Sequence, residues 1–347
     1  MLVDSPPEQR ADTAPALPTR RAVRALGLLL SVVMLVLVAL ASIAVGAKAL
    51  SPDQVWHGVF HSTGTYGDVV VDGRMSRTVL GLLAGAALGL SGGVLQALTR
   101  NPLADPGLLG INAGASAAVV TALTYFGVTS LTGYVWFAFG GAAAVGALVW
   151  FLGGSRGATP VRLALAGTAI SAALYGYLQA VMIMDGAALG KMRFWTVGSL
   201  ASATDSTIAQ VLPFLAAGTL LALGLARPLN AMAMGDDAAR ALGANLNRTR
   251  ALAMLAATVL SGSATAACGP IMFVGLMVPH VVRSFTGPDL RWILPYATVL
   301  SPVLLLGADV LGRVAARPAE LQVGIVTALL GGPVFIFLVR RRRTAQL

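Results

Sequence analysis

Gly89-Leu90-Ser91-Gly92 places a serine in the G-x-S-G setting that presents a nucleophilic hydroxyl, and His280, in a second apolar stretch, is a base that could take its proton. The chemistry would be acyl transfer within a membrane, as in an intramembrane serine protease. A third group to orient the histidine is not evident. The same stretch also carries Gly81, Gly85, Gly89 and Gly93 at four-residue spacing. That spacing keeps the glycines near one helix face and lets a neighbouring helix approach to backbone contact. Residue types alone leave nucleophile and helix packing open at Ser91, with packing the commoner use.

Other chemistry is sparse. His57, His61 and His280 are scattered, and Cys268 is the single cysteine, so neither a metal cluster nor a disulfide framework is indicated. No G-x-x-x-x-G-K-[ST] phosphate loop occurs, so the chain carries no ATPase of its own. An ion-coupled secondary transporter needs paired acids inside the membrane, and Asp309 is the one carboxylate beside a long apolar stretch.

The elements that must hold these residues are membrane helices. Of the 347 residues 56% are hydrophobic and 11% charged, too few charges to cover a soluble surface. Windows free of Asp, Glu, Lys and Arg run over 25–47, 78–99, 106–155, 163–184, 206–226, 251–282, 292–308 and 321–339. Most reach the ~20 residues that a helix needs to span the hydrocarbon. The third window is divided near 127–133, and Gly269-Pro270 divides 251–282, leaving a short segment at 271–282.

Charge decides whether that segment crosses. With ten crossings and both termini cytoplasmic, seventeen of the 24 Lys and Arg lie inside and seven outside. If it does not cross, the split is thirteen to eleven and the arginines at 340–343 fall outside. The fold class is therefore all-α: a polytopic membrane protein of about ten transmembrane helices. The net charge of +10 then belongs to topology, and no nucleic-acid partner is implied. Residues 1–19 read as a disordered cytoplasmic tail, 20–343 as the membrane domain with a cytoplasmic loop at 227–250, and 344–347 as a C-terminal tail. Within the loop, residues 235–243 begin with a glycine followed by acids and end with a glycine, the pattern of a short capped helix.

Three segments carry a resemblance: Arg100-Asn101-Pro102-Leu103-Ala104-Asp105-Pro106-Gly107-Leu108-Leu109-Gly110, Phe273-Val274-Gly275-Leu276-Met277-Val278-Pro279-His280, and Gly307-Ala308-Asp309 with Glu320 beyond. The chain resembles the ABC permeases that import iron-siderophores, haem and cobalamin, from about residue 25 to 341. Arg193-Phe194-Trp195 and Gly262-Ser263-Ala264-Thr265-Ala266 look most like the ferric-enterobactin branch. Gln322, where a proline commonly stands, and the doubled Gly331-Gly332 depart from the family pattern.

The resemblance implies a subunit of the bacterial inner membrane that is no enzyme and binds no cofactor or metal. It implies a second permease subunit, identical or different, two ATPase subunits that use ATP-Mg, and an extracytoplasmic binding protein. The cargo would be a ferric siderophore, catecholate before cobalamin or haem. Arg74, Arg77 and Arg313 match the positions where the binding protein docks; Gly235, Ala239, Leu242 and Gly243 match those that touch the ATPase. Asn112, Ser116, Ser171 and the glycine face are candidates to line the passage.

Overall fold

The computed structural model describes residues 20–61, 63–154, 160–241 and 243–344. The two tails read from the sequence, apart from the end of the last helix, and Leu242 lie outside the described residues. Fourteen α-helices occur among the described residues. They are α1 (Arg20–Ala44), α2 (Pro52–Phe60), α3 (Tyr66–Leu98), α4 (Ile111–Tyr125), α5 (Leu131–Gly154), α6 (Pro160–Met184) and α7 (Gly186–Trp195). There follow α8 (Asp205–Gly224), α9 (Ala226–Ala233), α10 (Asp236–Ala241), α11 (Leu246–Cys268), α12 (Val274–Thr286), α13 (Leu290–Ala315) and α14 (Val323–Thr344).

Seven of these are long and apolar enough to cross a membrane, and α4 and α14 contain shorter apolar stretches. The short segment after Gly269-Pro270 is α12, thirteen residues long. One end of the bundle carries α2 and α7; the opposite end carries α9 and α10.

Helix α3 is the axis. The α3 span is largely buried, whereas the span on α1 is almost wholly exposed on the outside of the bundle. Glycines make close packing around α3 possible. A Cβ added at Gly85 would lie 2.6 Å from Pro302 Cα of α13, one at Gly89 2.0 Å from Ser301 Oγ, and one at Gly92 1.8 Å from the Gly275 carbonyl of α12. Gly81 and Gly93 meet Leu306 and Leu294 of α13 at 2.4 and 2.9 Å in the same sense. Gln96 of α3 completes the α12 contact by donating to the carbonyls of Gly275 and Leu276 at 3.3 and 3.1 Å.

The non-helical segment after α7 is pinned between the end of α11 and the start of α14. Ser199 N donates to Cys268 O at 2.7 Å, and Gly324 N donates to Gly198 O at 3.2 Å. A Cβ at Gly324 would stand 1.7 Å from Val197 O, so only glycine admits this contact. The irregular backbone is stable here because the two helix ends satisfy its hydrogen bonds.

Candidate functional site

The α2 end holds a charge cluster built from three helices. Arg74 and Arg77 lie one turn apart on α3, and Asp309 and Arg313 one turn apart on α13. Arg77 Nε lies 3.1 and 3.0 Å from the two carboxylate oxygens of Asp309, and Nη2 donates to Oδ1 at 2.7 Å. Its Nη1 donates to Glu320 at 2.6 Å. Arg313 contacts Asp309 Oδ2 at 3.0 Å and donates to Ser42 O and Val45 O at the end of α1. Arg74 caps the same helix end, donating to Ile43 O, Ala44 O and Lys48 O at 3.1, 3.0 and 2.5 Å.

This differs from three arginines standing free on an outer face. Arg74, Arg77 and Arg313 are 6, 8 and 1% exposed, and Asp309 is fully buried. A guanidinium close to the hydrocarbon is stable only where carboxylates or backbone carbonyls satisfy it, and this chain supplies both. The three arginines nevertheless line one cavity of about 390 Å³ with Lys48 and Glu320, and it opens to the surface. The i,i+4 spacing of Asp309 and Arg313 is a sequence signal for one of these pairs; the Arg77–Asp309 pair, 232 residues apart, leaves none.

At the opposite end, α10 is tied down by one carboxylate. Asp236 Oδ1 accepts from Arg100 Nη2 at 2.5 Å and Oδ2 from Arg250 Nη2 at 2.6 Å. Arg100 follows α3 with φ 49°, a left-handed conformation that usually falls to glycine at a helix end. Burial raises the Asp236 carboxyl, but the two arginines outweigh it and hold it below the usual range. Gly235 and Gly243, with φ 107° and 81°, flank the helix. Ala239 is buried within the subunit, while Met234, Asp237, Arg240 and Gly243 are exposed. An ATPase contact read for Ala239 must therefore be indirect in this conformation.

Ser91 is fully buried and donates to Ala257 O of α11 at 3.0 Å. A hydroxyl committed to a carbonyl is a poor nucleophile, so this geometry favours helix packing over the serine–histidine reading. Asn112 and Ser116 are enclosed against α11, where Thr265 donates to Asn112 Oδ1 at 3.0 Å. Ser171, half-buried, donates to Gly167 O within α6. The glycine face lies against α12 and α13, so neither it nor Asn112 and Ser116 opens onto a passage within this subunit.

Apolar helices around an internal axis, with paired charges at their ends, define a multi-pass membrane protein. The sequence profile of the FecCD transport family matches residues 34–341, and the chain belongs to that family. It is 46% identical over 327 residues, 93% of this chain and 96% of the relative, to the ferric enterobactin transport system permease protein of Escherichia coli (strain K12). It is 38% identical to the hemin transport system permease protein of Yersinia pestis, over 92% of this chain and 96% of that one. A metal-chelate type ABC transporter solved in an inward-facing conformation superposes with TM-score 0.80 at 27% identity, covering 91% of this chain and 99% of the other. The protein is an inner-membrane permease subunit of an ABC importer of the iron-siderophore, haem and cobalamin group. It is not an enzyme; ATP hydrolysis belongs to a separate ATPase.

Proposed function

We propose that the chain passes a ferric siderophore of the catecholate class across the inner membrane, as one of two permease subunits, with two ATPase subunits inside and a binding protein outside. The observation that carries the cargo is the 46% identity over 93% of the chain to a ferric enterobactin permease. The assembly is read with ten crossings and both ends cytoplasmic, for which the seven long helices, α4, α14 and α12 supply ten segments. The seventeen-to-seven division of Lys and Arg orients them.

In this reading the α2 end faces the binding protein. Carboxylates on that partner seat over the cavity of Arg74, Arg77 and Arg313, with Lys48 at the rim and the buried arginines supplying field from beneath. The segment 235–243, with α10 at its centre, contacts the ATPase. ATP-Mg binding draws the ATPase pair together, α10 moves with it, and the passage between two permeases opens to one side and then the other.

Affinity purification of the tagged chain from its native membrane, followed by mass spectrometry and uptake assays, tests this. Co-purification of a phosphate-loop ATPase with ATP-driven uptake of a ferric catecholate is expected. An assembly that imports only haem or cobalamin overturns the cargo, and a chain without an ATPase partner after cross-linking overturns the assembly.

A further inference from the structure

A second cavity, of about 350 Å³, lies beside the arginine cavity and shares Ala201 with it as a common wall. Its lining includes Tyr134 from α5, Lys191 and Trp195 from α7, Ser199 and Ser202 from the segment after α7, and Gln322 just before α14. Residues brought from four places in the chain to one opening are held by the backbone contacts described above. Ser199 is itself fixed there by its bond to Cys268 O. The cavity is thus formed before any ligand arrives, and its volume is at the small end of ligand-sized sites.

Its chemistry is specific. Two aromatic residues, Tyr134 and Trp195, line the space and suit a flat electron-rich ring. The Trp195 indole Nε1 lies just beneath the lining, buried with no hydrogen-bond acceptor among the described residues, an unmet donor that costs free energy until an acceptor reaches it. Two serine hydroxyls and the Gln322 amide surround the same space. Lys191 is exposed and makes no ion pair among the described residues, so its ammonium is available to an anion. Next door, Lys48, Arg74, Arg77 and Arg313 stand against two carboxylates, Asp309 and Glu320, leaving cations in surplus across Ala201. An apolar macrocycle makes little use of such a lining. A flat anionic ring bearing two adjacent oxygens uses all of it.

We infer that this cavity receives one catecholate ring of the ferric chelate. The inference rests on the catecholate reading above. Three dianionic catecholates around Fe(III) leave a trianion, which the cationic surplus attracts, whereas three monoanionic hydroxamates leave a neutral chelate. One ring enters between Tyr134 and Trp195, its oxygens accepting from the indole, the hydroxyls and Lys191. Trp195 and Lys191 are therefore ligand contacts, and Gln322, in place of the family's usual proline, adds an amide.

The test uses the complete importer in proteoliposomes, with the iron(III) complex of a tris-(2,3-dihydroxybenzoyl) ligand as probe. Trp195→Phe keeps a ring and removes the N–H; Lys191→Gln removes the charge. Each is expected to slow uptake about tenfold, the scale of a lost hydrogen bond to a charged group, with assembly and binding-protein-stimulated ATP hydrolysis unchanged. Uptake by both variants at the wild-type rate overturns the inference and leaves the catecholate reading intact. Failure of the wild type to import the probe while it hydrolyses ATP overturns both. Trp195→Leu, expected to be slower still than Trp195→Phe, adds loss of the ring face; equal rates for the two would remove the stacking role.

Discussion

Arg77 of α3 and Asp309 of α13, 232 residues apart in sequence, form a buried pair in which Nε and Nη2 both face the carboxylate, with Nη2 to Oδ1 at 2.7 Å. The pair locks the central helix to its most extensive neighbour at the α2 end. Removing one partner strands a buried charge. Asp309→Asn is expected to destabilise the subunit by about 3–5 kcal/mol, read as a lower melting midpoint in detergent. Arg77→Lys should not restore stability, because an ammonium cannot reproduce the two-pronged contact. A midpoint unchanged in Asp309→Asn would mean that the pair contributes little.

Gly92 and Gly275 set the α3–α12 distance. Gly92→Ala would place a methyl 1.8 Å from the Gly275 carbonyl, so the helices must separate and the folded yield should collapse. Gly307→Ala, on a face with nothing within 4 Å, is the matched control and should fold normally. Comparable yields from the two would contradict this packing.

Ser91→Ala removes one hydrogen bond to Ala257 O and should cost about 1 kcal/mol while leaving uptake intact. Protease assays on the wild-type membrane fraction should show no activity lost in the variant. An activity that disappears with Ser91 would revive the nucleophile.

Asp236 connects α10 to α3 through Arg100 and to α11 through Arg250. Asp236→Asn is expected to leave the ATPase bound and hydrolysing while uptake falls several-fold, since the motion of α10 no longer reaches both helices. The ratio of ATP hydrolysed to chelate imported measures this. A ratio equal to wild type would assign α10 a passive role.

Asp289, in the turn before α13, accepts from Arg291 and Asn230. The hydrogen bonds from Arg291 lead the effect, burial opposes it, and the carboxyl is held down at about 2. A depressed acid contributes stability that is present above the ordinary carboxylate pKa of 3.8 and is lost as pH falls toward about 2. Melting midpoints should therefore drop more steeply over that window for the wild type than for Asp289→Asn, and the two should run parallel above pH ~5. Parallel curves throughout would show the ion pair to be fully screened.

Much of the bundle was legible because apolar runs must become helices in lipid. The break near 127–133 covers the link between α4 and α5 and the first residues of α5, and that at Gly269-Pro270 falls between α11 and α12. The windows misplace helix ends wherever charge is buried in pairs. The charge-free window starts at Thr78, yet α3 starts at Tyr66, since Arg74 and Arg77 find their partners on other helices. For the same reason α13 runs past Ala308 to Ala315, with Asp309 and Arg313 inside it. Helix α2 had a local signal, the Ser51–Gln54 capping box, too short to compete with the apolar periodicity around it. The cavity beside α7 was not legible, because its lining comes from residues up to 188 positions apart, Tyr134 to Gln322.

The capping of α1 by Arg74 and Arg313 bears on how the chain is made. Helix α1 is apolar on all sides and can enter lipid as soon as it is synthesised, with its last carbonyls open. Arg74 follows in the chain and has those carbonyls available, so its guanidinium donors can be satisfied within the first hundred residues. Arg77 has no such host: its carboxylate lies on α13 and arrives only when most of the chain is complete. In chain order, one arginine meets its partners early and the other must wait. The cluster is completed only by Asp309 on α13 and Glu320 beyond it.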